Sequence, residues 1–295
     1  MHEVTVLVPT LALRERGDLI HQAVASVLAQ EGVEARPLVI VNGERYDAAL
    51  VRSLKSDPRL IVVHRAEAGI PQALQMGQAL VTSPWFGNLD DDDQLLPGAL
   101  AARVGALLRR PEIDFVVSNG FRCGAEGDTL FIRDVAAVER DPLGTLLEKN
   151  WLLPGSWLCR TDAAPADLFE KMPRHLECTY LAVRFATSGK LLVLAEPMVR
   201  WSATTPGSAR KSVEYRKGQV AALRQILHLP MPRDFRSGMR RKLSAAYHRV
   251  SGDCLAAGEI GDAWRWHLAS LGEKGGTRYL SYTRRLVTAA WVVPR

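Results

Sequence analysis

The chain has 295 residues, 47% of them hydrophobic and 24% charged, with a formal net charge of +6. These fractions sit at the globular average and exclude a disordered, collagenous or low-complexity chain. No apolar stretch approaches the roughly 20 residues that cross a bilayer. The apolar N-terminal run VTVLVPT is too short for a signal peptide.

Val4–Val8 (VTVLV) is an apolar run of strand length closed by Pro9. From Asp18 to Gln30 apolar residues recur at helical spacing (Leu19, Ile20, Ala23, Val24, Val27, Leu28), and Asp18 can cap that helix. Pro37–Val41 predicts a second strand, ended by the turn pair Asn42–Gly43. A short helix over Asp47–Lys55, a strand at Leu60–His64 and a helix over Pro71–Val81 follow. Trp85–Leu89 reads as a fourth strand, Pro97–Leu108 as a helix and Phe115–Ser118 as a fifth strand. Residues 121–200 are less regular, with turns at Gly124–Asp128, Asp141–Pro142 and Pro154–Gly155. Helical patterns return at 213–228, 234–256, 259–272 and 277–292.

Strands alternating with helices predict an α/β fold with a mainly parallel sheet and right-handed crossovers. Such sheets bind ligands beyond the carboxyl ends of their strands, where the strand order reverses. The loops after Val8, Val41, His64 and Leu89 are therefore expected to converge on one cleft.

Charge divides the chain unevenly. Residues 201–295 carry 17 Lys/Arg against 6 Asp/Glu, leaving 21 against 26 for residues 1–200. A basic C-terminal segment attracts anionic lipid, phosphorylated ligand or an acidic partner, or simply presents solvated cationic faces. The four cysteines (Cys123, Cys159, Cys178, Cys254) have neither disulfide-framework nor metal-finger spacing and read as reduced thiols. A cytoplasmic protein is expected, with peripheral contact at the inner membrane face left open.

The most informative stretch is GNLDDDDQLLP, Gly87 to Pro97. Four adjacent carboxylates (Asp90, Asp91, Asp92, Asp93) after an apolar strand repel one another, and folding them at a sheet edge calls for a cation. In a turn after a strand, Asp90 and Asp92 can point the same way. Hard oxygen ligands of this kind suit Mg²⁺ or Mn²⁺, which complete their shells with water and substrate phosphates. The alternative is a solvated acidic loop.

VTVLVPT, a helix ending in SVLAQ (Ser26–Gln30), and LDDDDQLLP, in that order, resemble the family 2 nucleotide-sugar glycosyltransferases of GT-A fold. The resemblance covers roughly residues 3–201. It implies a catalytic domain over 1–205, with a nucleotide-binding half (1–120) and an acceptor half (121–205), followed by a basic helical extension over 206–295. The family's DxD motif maps onto Asp90-x-Asp92, implying a divalent cation, Mn²⁺ or Mg²⁺, held against a nucleoside diphosphate. By the same resemblance Pro9, Thr10, Leu11, Arg16, Asn42, Gly69 and Asp90–Asp92 contact the donor. Asn42–Gly43–Glu44 stands where the family usually has an acidic turn, and Ala73–Leu74–Gln75–Met76–Gly77 lacks the family's arginine.

Inverting transfer needs a base that takes a proton from the acceptor. The family supplies it from an acidic pair ahead of an amphipathic run, a Gly-Lys turn, a Glu-Pro pair and an aromatic. Here the frame is Glu177–Cys178, Leu181, Gly189–Lys190, Glu196–Pro197 and Trp201. Cys178 falls on the position most often assigned as base, but a thiol near pKa 8.5 is a poor base, so Glu177 is the candidate, with His175 and Asp162 in reserve. A helix N-terminal carboxylate is the structural alternative for Glu177, and a small buried thiol for Cys178.

Trp151 and Trp157, in and after NWLLPGS, are expected either to stack on an acceptor or to fill the core. Thr204–Ser212 (TTPGSARKS) resembles a mobile loop that closes over donor, with Arg210 and Lys211 reaching the diphosphate; an ordinary linker is the alternative. Tyr279–Val293 either docks on the catalytic domain, forms a homodimer contact or lies on an anionic membrane.

The expected function is an inverting, metal-dependent transfer of a sugar to a glycan, lipid carrier or secondary metabolite. A nucleotidyltransferase is opposed by PTLALRERG, which lacks a glycine-rich phosphate loop. A degenerate module that binds a nucleotide sugar or scaffolds a partner without turnover remains open. No nucleic-acid partner is expected.

Overall fold

The structure is a computed structural model that describes residues 2–124, 127–202 and 213–292. It divides into two compact units: Met1–Met172 with Glu177–Pro206, and Pro173–Leu176 with Gly207–Arg295.

The first unit is built on a nine-stranded mixed sheet. Its first half alternates strictly: β1 (His2–Thr10), α1 (Gly17–Leu28), β2 (Val33–Asn42), α2 (Ala48–Ser56), β3 (Ile61–Arg65), α3 (Ile70–Ala79) and β4 (Trp85–Asn88). The two-residue β5 (Gln94–Leu95) and α4 (Ala99–Arg109) follow. The second half contains β6 (Phe115–Gly124), β7 (Gly127–Leu130), α5 (Val135–Arg140), α6 (Pro142–Glu148), β8 (Trp157–Arg160), α7 (Glu177–Ser188) and β9 (Leu191–Ser202).

The main strand order is β3-β2-β1-β4-β8-β6-β9-β5, with β7 paired to β6. Strands β1 to β4 are mutually parallel, and β8 is antiparallel to both β4 and β6. It follows that β6, and β9 parallel to it, point the same way as β1. The order reverses between β1 and β4, the switch point where such sheets bind ligands.

Apolar runs buried on both faces make β1, β2 and β4, whereas the edge strand β3 is only half-buried. Val4, Leu7, Val8, Val39, Ile40 and Val41 are almost fully enclosed, and Ile20, Ala23, Val24 and Val27 bring the apolar stripe of α1 onto them. Gly87 lies where β8 passes closest, and a Cβ there would stand 2.5 Å from the Trp157 carbonyl oxygen.

Several expectations are corrected. Asp18 does not cap α1: Arg16 holds the cap position and Asp18 lies within the first turn, where its charge still favours the helix dipole. The helix expected from Pro97 begins at Ala99, with Gly98 at φ +75° before it. The segment over 121–200 is more regular than expected, with three strands and three helices.

The second unit comprises α8 (Val213–Ile226), α9 (Arg233–Ala256), α10 (Ile260–Leu271) and α11 (Tyr282–Val292), with a 3₁₀ turn at Gly276–Tyr279. Phe235, Met239, Leu243, Val250 and Leu286 are buried, whereas Leu268, Leu280 and Val287 are exposed. Among the described residues no helix is long and apolar enough to cross a membrane.

Candidate active site

The carboxyl ends of β1, β2 and β4 meet at the switch point. Leu89 N–H donates to the Leu7 carbonyl (2.9 Å), fastening the segment after β4 to β1. The chain then turns tightly, with Asp93 N–H donating to the Asp90 carbonyl at 3.1 Å. That turn gathers three carboxylates: oxygens of Asp90, Asp92 and Asp93 all lie within 4.8 Å of one another.

Asp91 points elsewhere. It accepts from Thr10 Oγ1 (2.6 Å) and Arg16 Nε (3.2 Å), and its other oxygen pairs with Arg16 Nη2. The same Nη2 lies 3.4 Å from an Asp92 oxygen. These partners hold the Arg16 guanidinium firmly in its charged form.

Without a cation, two carboxyls of the triad resist ionisation. Burial, then Asp92, Asp91 and Glu177, pushes the Asp90 carboxyl up to about 8, against a lowering by Arg16. Burial followed by the charge of Asp90 likewise holds Asp93 well above the usual carboxylate range. One Asp93 oxygen accepts from Ser202 N–H at 2.9 Å, and the other is buried without a hydrogen-bond partner. Clustered carboxylate oxygens, one of them orphaned, fit a hard divalent cation such as Mg²⁺ or Mn²⁺. Asp93 thus stands beside Asp90 and Asp92, the two residues expected from the sequence. The signal for it lay in the four-aspartate run, but alternation along a strand favours 90 and 92, and only the turn brings 93 in.

Asn42 latches three loops together. Its Nδ2 donates to the Thr10 carbonyl (2.9 Å) and its Oδ1 accepts from Gly69 N–H (3.0 Å). The expected donor contacts at Thr10, Asn42 and Gly69 are thus connected, with Asn42 buried and acting on its neighbours' backbones. Gly43, at φ +104°, makes the turn after it. Pro9 is buried within β1, and Leu11, 40% exposed, borders the cleft at the strand end.

The SVLAQ segment braces the acidic turn. Ser26 Oγ accepts from Leu95 N–H (3.0 Å), Gln30 Nε2 donates to the Leu96 carbonyl (2.9 Å), and Gln30 Oε1 accepts from Leu100 N–H (3.0 Å). Ser26 in the last turn of α1 and Gln30 just beyond its end thus fix the backbone on the far side of the aspartates.

Glu177 opens α7, and its charge reaches Asp90. The topology explains this: α7 leads into β9, which begins opposite Phe115 at the amino edge, so the first turn of α7 lies at the carboxyl edge. Leu176, immediately before it, is held at φ +62°, and Ala12, after β1, at φ +46°. Such conformations cost of order 1–3 kcal/mol and cluster at functional sites. Cys178 is half-buried in the same turn. His175 packs within the second unit, its ring edge-on to Tyr215 at 4.9 Å.

Three expected residues are placed away from the cleft. Trp157 is 1% exposed and enclosed by Phe86, Phe169 and Phe185, so it offers no face for stacking. Trp151 is 2% exposed, its indole N–H donating to the Pro142 carbonyl (2.8 Å). Both are core residues. Asp162 follows β8, where Thr161 N–H donates to the Pro84 carbonyl (2.9 Å), which puts it at the amino edge of β4, opposite Asp90. The expected closing loop Thr204–Ser212 lies outside the described residues.

A doubly flanked α/β sheet with an acidic turn at its switch point defines a nucleotide-sugar glycosyltransferase of GT-A type. The chain belongs to glycosyl transferase family 2, whose model matches residues 5–161, more than half of its length. Its fold is similar to that of S. aureus TarS 1-349 in complex with UDP-GlcNAc, with a TM-score of 0.56 and 13% identity over 84% of this chain and 72% of that one. The same protein in complex with UDP gives a TM-score of 0.53 and 14% identity over 84% and 71%. No curated protein sequence matches the chain.

Proposed function

We propose that this glycosyltransferase is inverting and metal-dependent, with Asp90, Asp92 and Asp93 holding Mn²⁺ or Mg²⁺ against the diphosphate of a nucleotide-sugar donor. The observation that carries this reading is the carboxylate triad with its orphaned Asp93 oxygen. When bound, the cation neutralises charge that grows on the departing diphosphate.

The chain's own groups supply the rest. Thr10, braced by Asn42 and by Asp91, borders the nucleoside together with Leu11 and Gly69. Arg16 sets the orientation of Asp91 and moderates the charge of Asp92. Glu177 takes the proton from an acceptor hydroxyl as that oxygen bonds to the sugar's anomeric carbon. The bond from that carbon to the diphosphate breaks on the opposite face, and the nucleoside diphosphate leaves.

The UDP-GlcNAc and the UDP bound in the two TarS structures support a nucleotide-sugar ligand. The acceptor classes stay those expected: a glycan, a lipid carrier or a secondary metabolite. Exposed Leu280 and Val287 beside Arg284 and Arg285 support contact of the C-terminal helices with an anionic membrane or a second copy.

The test is hydrolysis and transfer with a panel of nucleotide sugars, with and without Mn²⁺, comparing wild type with Asp92→Ala. Metal-dependent turnover lost in Asp92→Ala supports the assignment. Metal-dependent turnover unchanged by it removes the assigned metal site, and absence of turnover with intact nucleotide binding favours a degenerate binding module.

A further inference from the structure

At the same carboxyl edge of the sheet, β6 and β9 end beside a cavity of about 230 Å³ bounded by Arg122, Phe131, Arg133, Lys149 and Trp201. Its remaining lining residues are Thr129 and Leu130, so three cations and no carboxylate surround it. Among the described residues no carboxylate forms an ion pair with Arg122, Arg133 or Lys149, whereas neighbouring Arg200 is paired with Asp128 at 2.9 Å. Three cations without an ion-pair partner thus border one hollow, an arrangement that suits an anion.

The aromatic pair gives the hollow a second character. Phe131 and Trp201 meet edge-on with ring centroids 5.8 Å apart. Lys149 Nζ sits 5.4 Å from the Phe131 centroid and donates to the Phe131 carbonyl (3.3 Å), and Arg122 Cζ lies 6.0 Å from the Trp201 centroid. The hollow thus has an aromatic wall next to positive charge, the combination that receives a sugar ring bearing an acidic substituent.

The hollow also has a short connection to the chemistry. Trp201 precedes Ser202, whose N–H donates to Asp93 at 2.9 Å. Phe131, Arg133 and Lys149 also line an adjoining cavity of about 450 Å³ under α5 and α6, where Asp134, Asp141 and Glu148 add negative charge and Trp151 forms part of the wall, so the anion-binding character is confined to the smaller hollow.

The geometry points to an acceptor subsite for a phosphate-bearing saccharide: Arg122, Arg133 and Lys149 bind the phosphate, and Trp201 with Phe131 supports the adjoining ring. This rests on the reading that the Asp90–Asp93 turn holds the donor. Three converging cations match a phosphate dianion better than a single carboxylate charge.

The test uses the full chain and calorimetric titration with glucose 6-phosphate, glucuronate and glucose, in the presence of Mn²⁺ and saturating UDP or GDP to occupy the donor site. Glucose 6-phosphate should bind saturably and at least about tenfold tighter than glucose or glucuronate, since charge-assisted contacts to phosphate dominate. Arg133→Ala with Lys149→Ala should weaken it by about tenfold or more, with Lys149→Arg restoring most of the affinity. Nucleotide binding should stay the same in these variants. Equal affinity for glucose, equal affinity for glucuronate, or indifference to the double substitution each overturns the phosphate subsite. Should the nucleotide fail to bind with Mn²⁺, the donor reading fails separately, and the sugar titration still decides the subsite in the nucleotide-free protein.

Discussion

Arg16 and Asp91 form an ion pair at the mouth of the cleft, with Thr10 completing the carboxylate's contacts at 2.6 Å. The pair separates one aspartate from a run of four and leaves the other three to face one another. Asp91 is thereby held by protein groups, while Asp92 stays within 3.4 Å of the same guanidinium and Asp93 accepts from Ser202 N–H.

Removing the guanidinium leaves Asp91 charged, buried and short of its partner. Arg16→Ala is expected to destabilise the protein by about 2–4 kcal/mol at pH 7. Asp91→Asn, which keeps an acceptor for Thr10, is expected to cost only about 1 kcal/mol. Denaturant unfolding of both variants checks the order, which fails if Asp91→Asn is the more damaging.

The Asp90 carboxyl, whose ordinary value of 3.8 is raised to about 8, makes the metal-free protein pH-sensitive. Between those values the folded chain holds a proton that the unfolded chain has released, so stability falls as pH rises through the window. A divalent cation displaces that proton and offsets the repulsion. The melting temperature without metal should thus be lower at pH 8 than at pH 6, and added Mn²⁺ should raise it more at pH 8. Melting curves with and without EDTA read this directly.

Glu177→Gln removes the proton acceptor while keeping its shape. Turnover should fall by about 10²–10⁴-fold with the donor KM little changed. Cys178→Ala, one position on, should change turnover by less than about threefold if the thiol only fills space. The reverse ranking would transfer the base role to Cys178.

Gln30 is a remote brace with three side-chain hydrogen bonds, two of them to the segment after the aspartates. Gln30→Ala should cost about 1–3 kcal/mol, because the buried Leu100 N–H loses its acceptor, whereas the Leu96 carbonyl keeps the N–H of Ala99. It should also weaken Mn²⁺ binding while leaving every ligand in place. Unchanged metal affinity in a destabilised protein would limit Gln30 to a structural role.

The alternation of β1 to β4 with α1 to α3 was legible because each element carries its own period. Burial on both faces makes β1, β4 and the second half of β2 continuous apolar runs, the half-buried edge strand β3 keeps an apolar run of its own, and single-stripe helices separate them. The beginning of β2 was less visible: Glu34 and Arg36 are polar there, and Arg36 reaches Glu3 of the adjacent strand at 3.1 Å. Strands β5, β8 and β9 are defined by distant partners, Gln94 opposite Arg200 and Phe115 opposite both Cys159 and Leu191. No local pattern announces such pairings. The same holds for the site. The aspartates were visible as a run, yet the sorting of Asp91 from Asp93 depends on Arg16 and Ser202, which come from elsewhere in the chain. Trp151 and Trp157 show the converse, since a tryptophan's sequence neighbours do not reveal whether its ring faces solvent or a ring of phenylalanines.

The account is tested most directly by titrating the purified protein with Mn²⁺ in the presence of UDP or GDP, following bound metal by electron paramagnetic resonance. One saturable Mn²⁺ per chain is expected, tightened by the matching nucleotide and lost in both Asp92→Ala and Asp93→Asn. Failure of the wild type to take up Mn²⁺ with either nucleotide, or full uptake by both variants, would contradict the triad as the place where metal and donor meet.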